Sequence, residues 1–144
     1  MISLEKLFSI NRFLIEEFGG MSVGFKDENL VMSLVEGVNQ EVFGKILYPT
    51  VYDRISYIVF SIISNQVFLD GNKRTGIYVL EYLCEKENLV LDCSDDNLIE
   101  LARSIDKSEI SIERLSSWLK DNSCCLDKKE NILSDLSFFG QIEK

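Results

Sequence analysis

Histidine is absent from the whole 144-residue sequence, which removes one of the commonest catalytic side chains. Without an imidazole, no histidine can act as a general base or complete a zinc site with cysteines. A single proline, Pro49, and eight glycines argue against a long, loop-rich architecture. Lysine and arginine total 15 against 24 acidic residues, and a net charge of −9 is not the basic surface that general nucleic-acid binding requires. We therefore expect no direct nucleic-acid partner.

Long apolar runs are also missing. No stretch approaches the roughly 20 residues of a membrane span, and the first residues lack the basic-then-apolar order of a signal peptide. The four cysteines, Cys84, Cys93, Cys124 and Cys125, do not have the spacing of zinc ligands. These features predict a cytoplasmic protein with free thiols and no membrane segment.

Apolar residues recur at helical spacing along most of the chain, and strand-like alternation never persists beyond a few residues. The pattern predicts a first helix that stops at Gly19-Gly20, a second helix capped by Asp27, and a helix over about 72–86. Ser94, Asp95 and Asp96 offer N-caps for a later helix, and Ser111 is the expected N-cap of the last one. Residue content and pattern together predict an all-α fold.

The most apolar stretch lies in the middle of the chain and predicts a central helix that is buried on two faces. Residues 39–50, just before it, are expected to form a loop or a short hairpin around Gly44 and Pro49. We assign residues 1–120 to one compact domain and 121–144 to a C-terminal extension. The central stripe comprises Ile55, Ile58, Val59, Ile62 and Ile63, and the extension carries a short amphipathic pattern of Ile132, Leu133, Leu136, Phe138 and Phe139.

Residues 65–76 read Asn-Gln-Val-Phe-Leu-Asp-Gly-Asn-Lys-Arg-Thr-Gly and combine opposite charges in a turn before a helix. Backbone N–H groups and the positive end of the helix dipole would point at a phosphate there, with Lys73 and Arg74 adding charge. Asp70 could hold a divalent cation against the same phosphate. Taken alone, Asp70-Gly71-Asn72 is also a common turn, in which Asn72 would only cap the helix.

With its neighbours, the segment resembles the Fic/Doc family, and within it the Doc (death-on-curing) branch. The family motif is His-x-Phe-x-Asp-(Gly or Ala)-Asn-Lys-Arg, and the resemblance extends over roughly residues 3–120. Flanking features that agree include Gly24 with Asp27 and the pairs Phe43-Gly44 and Tyr48-Pro49. The motif is matched at Phe68, Asp70, Gly71, Asn72, Lys73 and Arg74.

The resemblance implies a compact six-helix fold that binds ATP with Mg²⁺ at the motif. Fic relatives transfer a nucleotidyl group to a target hydroxyl (AMPylation). Doc-type toxins act as kinases that transfer the terminal phosphoryl of ATP to a threonine of elongation factor Tu, and a small antitoxin neutralises them. By resemblance, the target of this chain would be that factor or another translation component. Homodimer formation stays an open alternative.

The resemblance also assigns roles to individual residues. Asp70 would bind magnesium, the amides around Gly71 and Asn72 would form an anion cradle, and Lys73 and Arg74 would hold phosphates. Phe68 would anchor the motif loop in the core. A flap that aligns the target by main-chain pairing would comprise Phe43, Gly44 and Lys45.

The family histidine falls on Gln66, and a glutamine amide cannot take up a proton near neutral pH. Three explanations stay open: a degenerate member that still binds nucleotide or a partner, a substitution introduced to permit expression of a toxic protein, and a weaker or different transfer reaction. A transferase with strongly reduced activity is the favoured interpretation, and a catalytically inactive pseudoenzyme that binds nucleotide or a partner is the alternative. Met32 stands where the family's inhibitory motif before Glu36-Gly37 has Ser or Thr, so we expect any inhibition to come from a separate antitoxin-like chain.

Overall fold

The computed structural model describes residues 1–126, which form six α-helices and two short antiparallel two-stranded sheets. This architecture confirms the predicted all-α class. Within the described residues, no helix is long and apolar enough to span a membrane. The elements are α1 (Leu4–Phe18), α2 (Glu28–Gly37), β1 (Glu41–Val42), β2 (Lys45–Ile46), α3 (Val51–Ser64), α4 (Asn72–Lys86), β3 (Leu89–Leu91), α5 (Asp95–Asp106), α6 (Ile112–Asp121) and β4 (Ser123–Cys125).

Side-chain caps set the start of five of the six helices. In each case a hydroxyl or carboxylate oxygen of the N-cap residue accepts a backbone N–H from the first turn. The predicted caps Asp27 and Ser111 are confirmed, and Ser94 is the cap among the three residues that could have filled that position. Helix α1 ends before Gly19 as its sequence predicted. Helix α4 is the exception: its N-cap is Gly71, and no side chain caps it.

The core is organised around α3, which packs against α2, α4, α5 and α6. Its predicted stripe is at most 1% exposed, so the central helix is confirmed as the buried one. Helix α4 approaches α3 closely because Gly76 has no side chain. A Cβ atom there would lie 2.5 Å from Cγ1 of Ile63. The close packing of α4 on α3 at Gly76 fixes the axis of α4, and hence the position of its N-terminal end.

Both sheets are small. Strands β1 and β2 form the hairpin that was one of the two expectations for residues 39–50, pairing Glu41 with Ile46. Strand β4 pairs with β3, and this ribbon was not predicted. The boundary between residues 120 and 121 stays a prediction, and the amphipathic pattern at 132–139 lies outside the described residues. All four cysteines, which do lie among them, are free, as expected.

Candidate functional site

The motif loop connects the last turn of α3 to the first turn of α4. Helix α3 ends in a Schellman-type cap, in which the Val67 N–H donates to the Ile62 carbonyl at 3.3 Å. The residue that turns the chain is Gln66, whose φ of 49° lies in the left-handed region. Glycine usually occupies this position, and a non-glycine residue costs about 1–2 kcal/mol there. The fold therefore holds the side chain of residue 66 at a strained, exposed turn.

Main-chain bonds clamp this loop to the segment before α2. The Lys26 N–H donates to the Val67 carbonyl at 2.8 Å, and the Leu69 N–H donates to the Gly24 carbonyl at 2.9 Å. Between them, the rings of Phe25 and Phe68 stack with centroids 5.1 Å apart. Phe68 is fully buried, which is what an anchor of the loop requires.

A buried asparagine on α1 connects three parts of the site. The Asn11 amide nitrogen donates to the Asp70 carbonyl at 3.0 Å and to the Thr75 hydroxyl at 3.2 Å. Its amide oxygen accepts the Gly24 N–H at 3.1 Å. Asn11 and Thr75 are both fully buried. Asn11 thus links α1, the segment before α2 and the start of α4 through three hydrogen bonds, of which those to Gly24 and Thr75 are buried.

The Asp70 carboxylate is held by two backbone N–H groups. Oδ2 accepts from Met21 at 2.7 Å and Oδ1 accepts from Gly71 at 2.8 Å. The Met21 and Gly71 N–H groups, in that order, lower the pKa of the Asp70 carboxyl, with a smaller contribution from Arg74. The chain can approach the Asp70 carboxylate this closely because Gly20 has no side chain. A Cβ atom at that position would lie 3.0 Å from Oδ2 of Asp70. Asp70 is therefore fixed and ionised at neutral pH, with lone pairs left for a cation.

The N-terminal end of α4 presents backbone N–H groups without a capping side chain. Gly71 is left-handed, with φ 73°, and a Cβ there would lie 3.0 Å from Cδ1 of Ile15. The Asn72 side chain turns back to the loop, where it donates to the Phe68 carbonyl at 3.0 Å and accepts the Phe68 N–H at 2.9 Å. Asn72 consequently braces the loop and is not the cap of α4.

The two motif cations have protein partners. The Lys73 ammonium lies 3.6 Å from a carboxylate oxygen of Asp106. The Arg74 guanidinium donates to the Gly19 carbonyl at 2.9 Å and lies 3.5 Å from the Leu14 carbonyl, at the C-terminal end of α1. Both side chains are close enough to add positive potential to the α4 N-terminus. For either to contact a phosphate, it would have to exchange or share these partners.

The hairpin carries the predicted flap residues at the other end of α3. Phe43 and Gly44 have φ values of 51° and 76°, which makes them the central residues of a type I′ turn between Val42 and Lys45. Phe43 is fully exposed. Within residues 1–126, no hydrogen bond or ion pair joins Phe43, Gly44 or Lys45 to the motif loop, so the structure does not bring the flap and the motif into direct polar contact.

Sequence reasoning missed three participants: Asn11, Met21 and Lys26. Asn11 had a usable signal, because it is a polar residue on the apolar face of α1, four residues after Leu7 and three before Leu14. Met21 takes part through its backbone, which no residue pattern reveals. Lys26 donates from its ammonium to Oε1 of Gln66 at 3.4 Å, a contact between residues 40 positions apart.

Comparison with known families shows which family the chain belongs to. The family model described as Fic/DOC family matches residues 1–84, which include the segment before α2, the hairpin, α3 and the whole motif loop. No curated protein matches the chain. The match covers more than half of the 144 residues and contains all the motif positions. The chain therefore belongs to the Fic/DOC family.

Proposed function

We propose that the chain binds ATP with Mg²⁺ at the N-terminal end of α4. We further propose that its reaction is transfer of a phosphoryl or nucleotidyl group to a protein hydroxyl, slowed by Gln66. The observation that carries the proposal is the contrast among the helices. Five begin with a side-chain cap, whereas α4 begins with left-handed Gly71 and presents its first N–H groups without one. Such a helix end, with cations beside it, favours a bound polyphosphate.

Asp70 is suited to hold the magnesium ion. It is fixed by two N–H groups, and its pKa is lowered, so it offers a charged oxygen at neutral pH. Within residues 1–126, no group of three or more acidic, cysteine or histidine side chains is arranged to hold a metal. Mg²⁺ commonly binds through one or two carboxylates together with substrate phosphates and water, so Asp70 would be a sufficient protein ligand for it. The cation would neutralise charge on the transferring group.

The residue at position 66 determines the rate of the proposed transfer reaction. An amide cannot accept the proton of an attacking hydroxyl, and loss of a general base typically lowers a rate by about 10²- to 10⁴-fold. Phosphoryl transfer depends largely on positioning and charge stabilisation, so a residual reaction is expected. Activity should thus be low in the protein as it stands and rise in Gln66→His.

The target and the regulator belong to the same proposal. The exposed hairpin offers unpaired strand edges on which an extended target segment could pair. We propose a protein of the translation machinery, elongation factor Tu foremost, as the target of a Doc-like toxin activity. An antitoxin-like protein or peptide would supply inhibition.

A second candidate is a pseudoenzyme that binds nucleotide or a partner without transfer. Both motif cations already have protein partners, Asp106 for Lys73 and the Gly19 carbonyl for Arg74, which favours a static role. The two candidates differ in what Gln66→His restores. A transferase gains activity, whereas a pseudoenzyme gains none.

The experiment incubates the protein and its Gln66→His variant with elongation factor Tu and a translation extract, using ATP labelled at either the α or the γ phosphate. We expect Gln66→His to label a protein at least about 100-fold faster than Gln66, from one label only. The Gln66→His, Asp70→Asn double variant should lose that labelling. Equal background labelling by all three proteins would refute the transferase proposal and leave the pseudoenzyme.

A further inference from the structure

The contact between Lys26 and Gln66 joins two side chains whose backbones are both held in place. Lys26 is held by its own backbone, whose N–H donates to the Val67 carbonyl, and it follows the stacked Phe25. Gln66 is held by the left-handed turn at the end of α3. The Lys26 ammonium and Oε1 of Gln66 are 3.4 Å apart. Two exposed side chains are therefore brought together by fixed main chain on both sides.

The chemistry of the ammonium determines which way the amide faces. A lysine side chain has three donors and no acceptor, so the group it meets must be the amide oxygen. The nitrogen of the Gln66 amide then faces away, and its N–H groups have no acceptor among residues 1–126. The side chain of residue 66 consequently offers its N–H donors to a bound molecule, while its amide oxygen faces a positive charge.

We propose that Lys26 is a positioning residue that orients the side chain at position 66 toward an oxyanion ligand and lowers the proton affinity of any base placed there. This proposal rests on the proposed function only for the identity of the ligand, ATP. For a unit charge about 4 Å from a base at the surface, screened by physiological salt, the expected effect is about threefold in proton affinity.

The absence of histidine makes the first test unambiguous. In Gln66→His, the introduced imidazole is the only one in the molecule, so its NMR titration needs no assignment. We expect its proton affinity to be about threefold higher in Lys26→Met than with Lys26 present, and to return toward the lower value in Lys26→Arg. Lys120→Met changes the net charge equally on an exposed residue of α6 and should leave the titration unchanged. Identical titration with and without Lys26 would overturn the proposal.

A second measurement uses the native residue and needs no histidine. In a ¹⁵N-labelled protein, the Gln66 side-chain NH₂ resonances should shift in Lys26→Met and not in Lys120→Met. If they do not move, Lys26 does not hold the amide, and the proposal fails.

A third measurement determines the affinity for ATP directly. We expect Lys26→Met to weaken ATP binding about five- to tenfold, and Lys26→Arg and Lys120→Met to stay within about twofold of the parent. Unchanged affinity in Lys26→Met would overturn the assignment of an oxyanion ligand to the pair. If no protein binds ATP while the titration still responds to Lys26, the positioning role stands and the proposed function fails.

Discussion

The hydrogen bonds of Asn11 make the sharpest stability prediction. Asn11→Ala removes one donor group and one acceptor from a fully buried position on α1. The Gly24 N–H then loses its acceptor, and the Asp70 carbonyl and Thr75 hydroxyl lose their donor. The alanine side chain has no polar atom that could replace these bonds. The motif loop would lose its connection to the first helix.

The magnitude follows from the number of groups left without partners. A buried polar group without a partner costs about 1–3 kcal/mol. Gly24 is buried and bears the full cost, whereas the Asp70 carbonyl is only partly buried and can be hydrated. Together with lost packing, we expect Asn11→Ala to lower the free energy of unfolding by about 3 kcal/mol, a large part of the roughly 5–15 kcal/mol typical of a domain.

Urea unfolding followed by circular dichroism measures this loss. The midpoint should fall while the slope with denaturant stays constant, because the unfolded state is unchanged. Asn29→Ala, at an exposed asparagine in α2, is the matched control and should change the free energy of unfolding by less than about 0.5 kcal/mol. A loss below about 1 kcal/mol for Asn11→Ala would refute the idea that these hydrogen bonds hold the loop.

Three further predictions test the loop and the core. The pKa of Asp70 lies below its ordinary 3.8, so the stability that the carboxylate contributes is present above about pH 4 and is lost as pH falls through the lowered pKa. The difference in the free energy of unfolding between the parent and Asp70→Asn should therefore shrink in urea titrations at progressively lower pH. A constant difference would contradict this. Gln66→Gly should raise the free energy of unfolding by about 0.5–1 kcal/mol by relieving the left-handed strain, and a decrease would show that the turn is unstrained. Burial raises the pKa of the Cys84 thiol to about 12, so Cys84 should escape a disulfide reagent at about pH 8 until urea unfolds the protein, unlike the exposed Cys124.

Local signals explain which parts of the fold were predictable. Asp27, Ser94 and Ser111 cap their helices through bonds to residues two or three positions away, so short sequence windows contain the whole interaction. The β3–β4 ribbon was missed because three-residue strands are too short to show alternation. Its partners, such as Leu89 and Cys125, are also far apart in sequence.

The residues of the site also divide into those that a short sequence window reveals and those that it does not. Phe68 and Asp70 could be singled out from the sequence because the motif is contiguous; Phe68 is buried and Asp70 accepts a backbone N–H, while their roles stay predictions. Arg74 shows the limit of a motif: its present partner, the Gly19 carbonyl, exists only because α1 ends beside α4. The contacts of Asn11 and Lys26 likewise depend on how distant segments meet, which residue spacing does not encode.

Isothermal titration of the protein with ATP, with and without Mg²⁺, tests the central claim most directly. We predict saturable binding that needs Mg²⁺ for full affinity and weakens at least about tenfold in Asp70→Asn. Glu85→Gln, at an exposed acidic residue later on the same helix, should bind like the parent. Absence of binding, or equal affinity in Asp70→Asn and the parent, would contradict the assignment of the α4 N-terminus as the nucleotide site.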